Sequence, residues 1–391
     1  MQGEIGRDED WDTIESKLPA NWRELAREHG VLIEDRRRTD ESGSGWKIRD
    51  PAALLRMILH HATSGASLRT TVALAAALGL AEISGAAFHK WMRKCGGWLA
   101  ALVAEMTSSR STFRLERWAG YEVIAADATT AQMPGAKGTT AYVHYALRLF
   151  DLCSVGIKVS SNKVGESLRN FVMKAGQLWI ADRGYCNANS VAHAASAKAV
   201  VLIRFAFGPL PLFDAAGAKL DLRKKVLAIR RPGAIVEWPV CLHPRSGEPI
   251  VGRLIARRLT DAQAQKARDR LAREHGRSHV TREMLAFSNF VLLFTTVPKD
   301  RLSASLLTEL YTLRWQVELE FKRDKSIAGL DTLPNRLDET IHSWICAKML
   351  ALELSRRLAE PSEPFPPSIV GSYALRVRAS RIAALANRDR T

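Results

Sequence analysis

Hydrophobic residues in the N-terminal quarter of the chain recur every three to four positions, which is the period of an amphipathic helix. The pattern predicts a helix from residue 11 to about residue 30. Asp50 followed by Pro51 predicts the start of a second helix, because Asp caps helix N-termini and Pro suits the first turn. Ser67 and Ser84 predict two further helix starts. We therefore expect this part of the chain to be helical.

The pattern changes after Trp118, where β-branched and apolar residues dominate short runs. The runs YEVIAADAT, AYVHYALRLFDL and SVGIKVSS predict three short strands. GESLRNFVMKAG predicts a helix, and QLWIADRGY predicts an apolar strand that ends at Asp182. Three strands, a helix and a further strand are typical of a mixed α/β fold.

The second half of the chain is rich in predicted strands up to residue 298, with a Lys/Arg-rich helix over 261–274. A helix over 311–325 and another that begins at Thr340 follow, before a Pro-rich break. These boundaries predict four parts: a helical region (1–117), an α/β core (118–198 and 299–358), a β-rich segment between the two parts of the core (199–298) and a C-terminal tail that is a candidate for dimerisation (359–391).

The charge of the chain restricts its partners. The 391 residues carry a formal net charge of +16, and the sequence pI is about 9.9. A protein this basic usually meets a polyanion, most often nucleic acid, although a solvated basic surface without a partner has the same charge. Hydrophobic residues make up 47% of the chain, which argues against global disorder. Composition therefore favours a folded nucleic-acid-binding protein.

Cysteine usage and the N-terminal residues bear on the cellular compartment. The five cysteines are widely spaced and form no CxxC pair, so we expect neither a zinc site nor a disulfide framework. The sequence begins with an acidic, polar stretch unlike a signal peptide, and no apolar run approaches the length of a membrane span. These features predict a cytoplasmic protein.

Two predicted helices around residue 80 form a pattern similar to a helix-turn-helix. The helix that begins at Ser67 is followed by a short break, and the next helix bears four basic or titratable side chains, which are His89, Lys90, Arg93 and Lys94. This arrangement favours DNA contact by the second helix. Any small helical bundle gives the same pattern, so packing without DNA contact is the open alternative.

Two aspartates end predicted apolar strands, namely Asp127 and Asp182. Open α/β sheets place their sites at the carboxyl ends of strands, and two carboxylates that converge there can bind divalent metal. Two metal ions suit phosphodiester chemistry, because one activates the attacking oxygen and the other stabilises the leaving oxygen. The ordinary alternative is that each aspartate forms a turn or caps a helix.

Four chemically distinctive residues lie at positions i, i+3, i+7 and i+14 of one predicted helix: Tyr311, Arg314, Glu318 and Lys325. At 100° per residue they fall within about 60° of one another. Glu318 is the natural third carboxylate, and Arg314 and Lys325 are suited to holding phosphates on either side of a scissile bond. The alternative is a solvated helix face in which Glu318 only pairs with Arg314.

The spacing Y-x2-R-x3-E-x6-K of these four residues resembles the signature of DDE transposases of the insertion-sequence IS-four family. YEVIAADAT and LWIADRGY resemble the first-aspartate and second-aspartate blocks of that family. FSNFVLLFTTVP resembles the strand that precedes the signature helix, and the N-terminal region is also similar. The resemblance covers nearly the whole chain.

The resemblance implies a fold and a catalytic centre. The implied fold is α/β, with a ribonuclease-H-like mixed sheet core, a β-rich insertion and an N-terminal helical domain. Asp127, Asp182 and Glu318 match the catalytic triad of that core. The implied cofactor is Mg²⁺ in a two-metal site made by these three carboxylates, with Mn²⁺ as a substitute.

The resemblance also implies DNA-binding residues. Tyr311, Arg314 and Lys325 match positions that contact the DNA backbone around the cleavage site. Phe290 matches the position of an aromatic residue, commonly Trp, that stacks on a flipped base. Phe can stack with a smaller face, but ordinary core packing is the alternative. Arg183, which follows the second aspartate, could reach a phosphate or be a surface arginine.

The function implied by the resemblance is cut-and-paste transposition. The partners would be the terminal inverted repeats of the element, the target DNA and a second copy of the protein in a synaptic complex. No covalent protein–DNA intermediate is needed, so Tyr311 is not expected to be a nucleophile. Two alternatives are a catalytically inactive DNA-binding relative and a ribonuclease-H-like nuclease without strand transfer. Retention of all three acids argues against the first alternative.

Overall fold

The structure of this protein is a computed structural model. It describes residues 9–31, 48, 50–108, 113–132, 138, 140–214, 216–244, 248–276, 279–330, 333 and 338–358, without the side chains of residues 275, 321, 323–325 and 338. The tail for which dimerisation is predicted therefore lies outside the described residues.

Helices form the N-terminal region and cover both faces of a central sheet. They are α1 (Glu9–Glu15), α2 (Trp22–Glu28), α3 (Pro51–Ser64), α4 (Leu68–Ala77), α5 (Gly85–Lys94), α6 (Gly96–Ser108), α7 (Ala188–Ser196), α8 (Leu222–Leu227), α9 (Asp261–His275), α10 (Arg282–Ser288), α11 (Ala304–Thr312), α12 (Trp315–Ala328) and α13 (Asp338–Leu358). Within the described ranges, no helix is long and apolar enough to cross a membrane.

The strands are β1 (Glu122–Ala131), β2 (Ala141–Arg148), β3 (Cys153–Ser161), β4 (Gln177–Ala181), β5 (Val200–Arg204), β6 (Ile235–Leu242), β7 (Ile250–Arg258) and β8 (Phe290–Thr295). They form one sheet in the order β3-β2-β1-β4-β5-β8-β7-β6. β1, β4 and β5 are parallel, and the other neighbouring pairs are antiparallel. The predicted mixed α/β fold is confirmed, and β6, β7 and β8 extend the same sheet as the core strands.

Each face of the sheet is buried under helices. Side chains of a strand point alternately to opposite faces. Along β1, Val123 and Ala125 belong to a hydrophobic cluster that contains residues of α3, α6 and α13. Ile124 and Ala126 belong to a second cluster with residues of α7 and α8. The central strands are therefore apolar on both sides, which explains why they read as nearly continuous hydrophobic runs.

The predicted helix starts in the N-terminal region are confirmed. The side chains of Asp50, Ser67 and Ser84 each accept a hydrogen bond from the backbone N–H three residues further along. These bonds satisfy amide donors that have no partner inside the helix. The short-range capping pattern was therefore sufficient to locate where α3, α4 and α5 begin.

Two predicted helices are interrupted in the structure. The helix expected from 11 to 30 is divided into α1 and α2 around Pro19, a residue that lacks an N–H donor. The helix that follows Ser84 ends before Cys95, and α6 begins at Gly96. An ideal Cβ on Gly96 would lie 2.7 Å from His342 Nδ1, so the new helix starts at a close contact with α13.

The prediction that GESLRNFVMKAG forms a helix is wrong. The segment contains only a 3₁₀ turn over Leu168–Asn170. Its backbone is held by side chains instead of by helical bonds: Leu168 N donates to Ser190 Oγ at 3.1 Å, and Asn170 Nδ2 donates to Gly165 O at 3.0 Å. The first bond fastens the segment to α7, and the second closes the segment on itself.

Candidate active site

Two aspartates are brought together by strand pairing. β1 and β4 are parallel neighbours, and their register pairs Ala126 with Ala181. Asp127 and Asp182 each come one residue later, so they lie side by side where the pairing of β1 with β4 ends. β1 itself continues to Ala131, paired with β2, so the prediction that this strand ends at Asp127 is wrong. Adjacent strands are separated by about 4.8 Å. Backbone geometry therefore determines the position of both carboxylates.

Asp127 is the more buried of the two, with a side chain that is 19% exposed against 47% for Asp182. Asp127 Oδ1 accepts a hydrogen bond from Ala128 N at 2.9 Å, and Asp182 Oδ1 accepts one from Arg183 N at 2.6 Å. Burial raises the pKa of Asp127 to about 6, even though the Ala128 N–H and the Arg314 guanidinium act in the opposite direction. Burial therefore favours the neutral form of Asp127, and the Arg314 cation offsets only part of that effect.

The predicted continuous helix over 311–325 is wrong. α11 ends at Thr312 and α12 begins at Trp315. At the junction, Arg314 N donates to the Tyr311 carbonyl at 3.1 Å, which is a bond of the tighter 3₁₀ type. The four signature residues are therefore not a stripe on one straight helix. The break places the arginine between two helices, facing the sheet edge.

Arg314 contacts all three candidate catalytic carboxylates. Its Nη1 lies 3.9 Å from Asp127 Oδ2, and its Nη2 lies 3.9 Å from Asp182 Oδ2. Nη2 also donates a short hydrogen bond to Glu318 Oε1, in the first turn of α12. Arg314 Nη1 is buried without a hydrogen-bond acceptor among the described residues. The three carboxylates thus converge on one guanidinium.

The donor set suits a hard divalent cation, because carboxylate oxygens are the ligands that Mg²⁺ and Mn²⁺ prefer. In the described part of the chain, no three His, Cys, Asp or Glu side chains are close enough together to hold one metal ion. The Arg314 guanidinium lies between the carboxylates instead. The three carboxylates are therefore suitable metal ligands, and the Arg314 guanidinium supplies positive charge at the same point.

Tyr311 and Arg204 lie at the same edge, at the ends of α11 and β5 respectively. Tyr311 interacts with Asp182, Arg314 and Arg204, and its burial, followed by the charge of Asp182, raises its pKa. Burial lowers the pKa of Arg204. The sequence analysis missed Arg204, although a charged residue that ends an apolar strand is the same signal that identified the aspartates.

Glu166 and Tyr185 are two further side chains that the sequence analysis missed. Glu166 interacts electrostatically with Asp182 and Arg314. Tyr185 is fully buried and interacts with Glu166, Asp127 and Arg314. Glu166 lies in the segment that was predicted to be helical, so no local pattern directed it toward the sheet edge.

Phe290 is the first residue of β8, and its side chain is buried in the cluster shared with α7 and α8. The Arg258 guanidinium lies 5.9 Å from the centre of its ring. β8 is antiparallel to β5, so Phe290 lies toward the same edge as the aspartates. Two half-buried rings follow β5 and precede β8 there, Phe207 and Phe287, with centroids 4.9 Å apart. Base stacking by Phe290 stays a prediction.

Lys325 and Arg183 are the remaining predicted DNA-binding residues of the core. Lys325 lies on α12, and its side chain is outside the described set. Arg183 is exposed in a 3₁₀ turn that follows the second aspartate. Contact between Arg183 and a phosphate stays a prediction, and its exposure is compatible with it.

The predicted helix-turn-helix corresponds to α4 and α5. Lys90, Arg93 and Lys94 are exposed on α5, whereas His89 Nε2 lies 3.4 Å from Thr340 Oγ1 of α13. Three of the four selected side chains are therefore available for contact with DNA, and the histidine faces the protein.

A family model for the transposase DDE domain matches residues 118–354, which include every strand of the sheet and all three carboxylates. The chain therefore belongs to the DDE transposase family, whose ribonuclease-H-like core agrees with the mixed sheet and with acids at its carboxyl edge. The family resemblance that the signature spacing indicated is confirmed.

Several relatives are similar over most of their length. The chain is 30% identical over 333 residues to the putative transposase InsL for insertion sequence element IS186A of Escherichia coli (strain K12), covering 83% of this chain and 90% of that protein. It is also 30% identical over 334 residues to the transposase for insertion sequence element IS421 of Escherichia coli, with the same coverage. The transposase for insertion sequence element IS231F of Bacillus thuringiensis subsp. israelensis is 28% identical over 132 residues, which are 33% of this chain and 28% of that protein. These similarities support an enzymatic role as a transposase.

Proposed function

We propose that this protein binds the terminal inverted repeats of an insertion sequence, cleaves DNA at the ends of that element and joins the freed ends to target DNA. The observation that carries the proposal is the convergence of Asp127, Asp182 and Glu318 on Arg314 at one sheet edge. Three acids surrounded by basic side chains suit a phosphodiester substrate, whose phosphates need cations and whose reacting oxygens need charge stabilisation.

The three carboxylates would hold two Mg²⁺ ions, with Mn²⁺ as a substitute. When bound, such ions supply charge stabilisation for the attacking and leaving oxygens. Arg314 lies beside all three acids, so it reduces their mutual repulsion. We assign Arg314 the role of holding the acids at one point and of binding a substrate phosphate.

Tyr311, Arg314 and Lys325 would contact the DNA backbone, with Arg183 as a further phosphate ligand. Burial raises the pKa of Tyr311, so its phenol stays protonated at neutral pH and can donate a hydrogen bond to a phosphate oxygen. The same protonation makes Tyr311 a poor nucleophile. Arg204 joins this group because it lies beside Tyr311 and Asp182.

The proposed reaction alternates hydrolytic and transfer steps. Water attacks a phosphodiester at the end of the element and leaves a free 3′-hydroxyl. That hydroxyl attacks the opposite strand to form a hairpin and releases the flanking DNA. A second water opens the hairpin and frees the 3′-hydroxyl again, which then attacks the target DNA. Every step exchanges one phosphate ester for another or hydrolyses it, so no covalent bond between protein and DNA is formed.

DNA binding outside the active site would use the basic surface. The net charge of +16 favours a polyanion, and Lys90, Arg93 and Lys94 are exposed on α5. Because two ends must be cut and joined together, the active form would be a homodimer in a synaptic complex. The expected location is the cytoplasm, on the nucleoid when DNA is bound.

The experiment that tests this function uses purified full-length protein, Mg²⁺, labelled DNA that carries the ends of the element, and a supercoiled target plasmid. We expect nicking at the element end, hairpins and products in which the labelled end is joined to the plasmid. Omission of the metal should abolish all three products.

Two other results would each support a different function. Cleavage without joined products would indicate a nuclease that lacks strand transfer. Tight binding of the ends without cleavage in either Mg²⁺ or Mn²⁺ would indicate a DNA-binding relative whose triad has no catalytic use.

A further inference from the structure

A fourth carboxylate lies next to the second aspartate. Glu166 belongs to the segment between β3 and β4, and this segment is fastened to α7 by the buried bond from Leu168 N to Ser190 Oγ at 3.1 Å. Ser167 Oγ also lies 3.3 Å from Ser190 Oγ. The residues that follow Glu166 are therefore anchored to Ser190 of α7, and the Glu166 side chain is half-buried.

The Glu166 carboxylate lies directly on the backbone of Gly184, two residues after Asp182. An ideal Cβ at Gly184 would overlap Glu166 Oε2 and lie 3.0 Å from its carboxyl carbon. A glycine is thus required at position 184 for this placement of the glutamate. Gly165 directly precedes Glu166 in the chain and has no heavy atom within 4 Å of its own ideal Cβ. A side chain at position 165 would therefore not displace the glutamate, whereas one at position 184 would.

Tyr185 supplies an independent observation. Its ring is fully buried, and its hydroxyl has no hydrogen-bond partner within the described residues. Among charged groups, Glu166 interacts with this phenol most strongly, followed by Asp127. A buried hydroxyl without a partner costs free energy and is rare in folded proteins. A buried donor that interacts electrostatically with two carboxylates, but bonds to neither, suits a site whose hydrogen bonds are completed when a ligand rearranges those carboxylates.

Glu166 also interacts with the groups of the proposed catalytic centre. The charge of Asp182 raises the pKa of Glu166, and the charge of Arg314 lowers it. The charge of Glu166 in turn contributes to the raised pKa of Asp127. In the part of the chain that the structure describes, no hydrogen bond to its carboxylate is formed. A half-buried acid beside two others, without a hydrogen-bond donor, has the properties of a cation ligand more than those of a structural ion pair.

We propose that Glu166 is a fourth carboxylate of the catalytic centre that binds a divalent cation together with Asp127 and Asp182, and that the Tyr185 hydroxyl positions it. The inference rests on the proposed function and adds a ligand to that centre. Glu166 acts as a catalytic residue, because it contacts the cofactor. Tyr185 acts as a positioning residue, because it reaches the cation only through Glu166.

The first test measures Mn²⁺ binding to the full-length protein by electron paramagnetic resonance, without DNA. Glu166→Gln removes the charge, and Gly184→Ala keeps the charge but displaces the carboxylate. Both should weaken Mn²⁺ binding by at least about tenfold, because fewer anionic ligands and a misplaced ligand each reduce affinity. Gly165→Ala is the matched control and should bind Mn²⁺ as the unmodified protein does.

The second test separates positioning from structure. Tyr185→Phe removes a hydroxyl for which the described residues provide no hydrogen-bond partner, so the midpoint of thermal unfolding in EDTA should not fall. Mn²⁺ affinity should nevertheless decrease by several-fold. A lower unfolding midpoint with unchanged Mn²⁺ affinity would show that the hydroxyl only stabilises the fold.

The inference is overturned if Glu166→Gln and Gly184→Ala bind Mn²⁺ as tightly as the unmodified protein, or if the unmodified protein has no saturable Mn²⁺ site. These outcomes differ from failure of the proposed function. A protein that binds Mn²⁺ through Glu166 but neither cuts nor joins DNA would contradict the function and leave the metal ligand in place. If the unmodified protein cuts and joins DNA but Glu166→Gln binds Mn²⁺ normally, the proposed function stands and Glu166 is not a metal ligand.

Discussion

Two acidic residues of β1 each contact an arginine from another element, but the two clusters are built differently. At the start of the strand, Glu122 contacts Arg148 of β2, which also contacts Asp151. In the middle of the strand, Asp127 contacts Arg314, which also contacts the two other triad acids. One cluster belongs to the interior of the sheet, and the other lies at the edge where a substrate can reach it.

In the first cluster the hydrogen bonds are complete and the groups are buried. Arg148 Nε donates to both oxygens of Asp151 at 3.0 and 2.9 Å, and Arg148 Nη1 donates to Glu122 Oε1 at 2.9 Å. Gln177 donates to the other oxygen of Glu122 at 2.9 Å. The Arg148 side chain is 4% exposed. This network ties the starts of β1 and β4 to the end of β2.

In the second cluster the contacts are partial. Arg314 makes one short hydrogen bond, to Glu318, while its distances to both aspartates are 3.9 Å. Asp182 and Glu318 keep 47% and 43% of their side chains exposed. A cluster that leaves donors and acceptors unused is poor at stabilising a fold but suited to binding a ligand. The comparison therefore assigns a structural role to one arginine and a functional role to the other.

The largest expected effect comes from exchanging a carboxylate for an amide in each cluster. Asp182→Asn should reduce DNA cleavage by about a thousandfold or more, because loss of metal-based charge stabilisation of several kcal/mol has that kinetic effect. Its unfolding free energy should not fall, since the side chain is half exposed. Asp151→Asn should show the opposite pattern, with lower stability and retained cleavage per folded molecule. Cleavage assays and urea unfolding on both variants check the prediction.

The second prediction compares the two arginines by their effect on stability. Arg148→Met leaves Glu122 and Asp151 buried without a cation and should reduce the free energy of unfolding by about 3 to 5 kcal/mol. Arg314→Met should reduce it by about 1 kcal/mol or less, because most of its partners remain partly hydrated. Urea unfolding at neutral pH measures both values. Equal losses would mean that the Arg314 cluster is as structural as the Arg148 cluster.

The third prediction concerns pH and the buried aspartate. Because the pKa of Asp127 is raised to about 6, the folded protein binds a proton between about pH 4 and pH 6 that the unfolded chain has released. Stability contributed by this proton is present at low pH and is lost as the pH rises through about 6. Asp127→Asn cannot ionise, so in EDTA it should be more stable than the unmodified protein by about 1 to 3 kcal/mol above pH 7.

Below about pH 4 the two proteins should have similar stability, since both carry a neutral side chain at position 127. Urea unfolding across this pH range in EDTA measures the difference. A constant difference at every pH would contradict the assignment of a raised pKa to Asp127. Asp182→Asn is the control, because its carboxylate is much more exposed.

The sequence predicted those features that depend on local pattern. Asp50, Ser67 and Ser84 cap helices because capping involves only the next three residues. Asp127 and Asp182 each follow the last residue pair of two parallel strands, and that pairing is enough to bring them together. The signature spacing identified the family before any geometry was known. Each of these features is short in range or repeated in many proteins.

The sequence did not predict features that depend on contacts between distant segments. No Pro or Gly in the sequence marks the break between α11 and α12. Arg314 lies at this break, opposite carboxylates from two other elements. Glu166 reaches the site because its segment is held by Ser190 and fits over Gly184. Helix propensity was overridden at both places by tertiary contacts, which no local pattern contains.

Cleavage by Glu318→Gln, compared with its binding to the same element-end DNA, shows whether Glu318 belongs to one catalytic centre with the two aspartates. The exchange keeps the shape of the side chain and removes its charge from the cluster on Arg314. We predict that end binding persists, while nicking, hairpin formation and joining in Mg²⁺ are all lost. Cleavage by Glu318→Gln at the rate of the unmodified protein would remove Glu318 from the triad and contradict the account of the site.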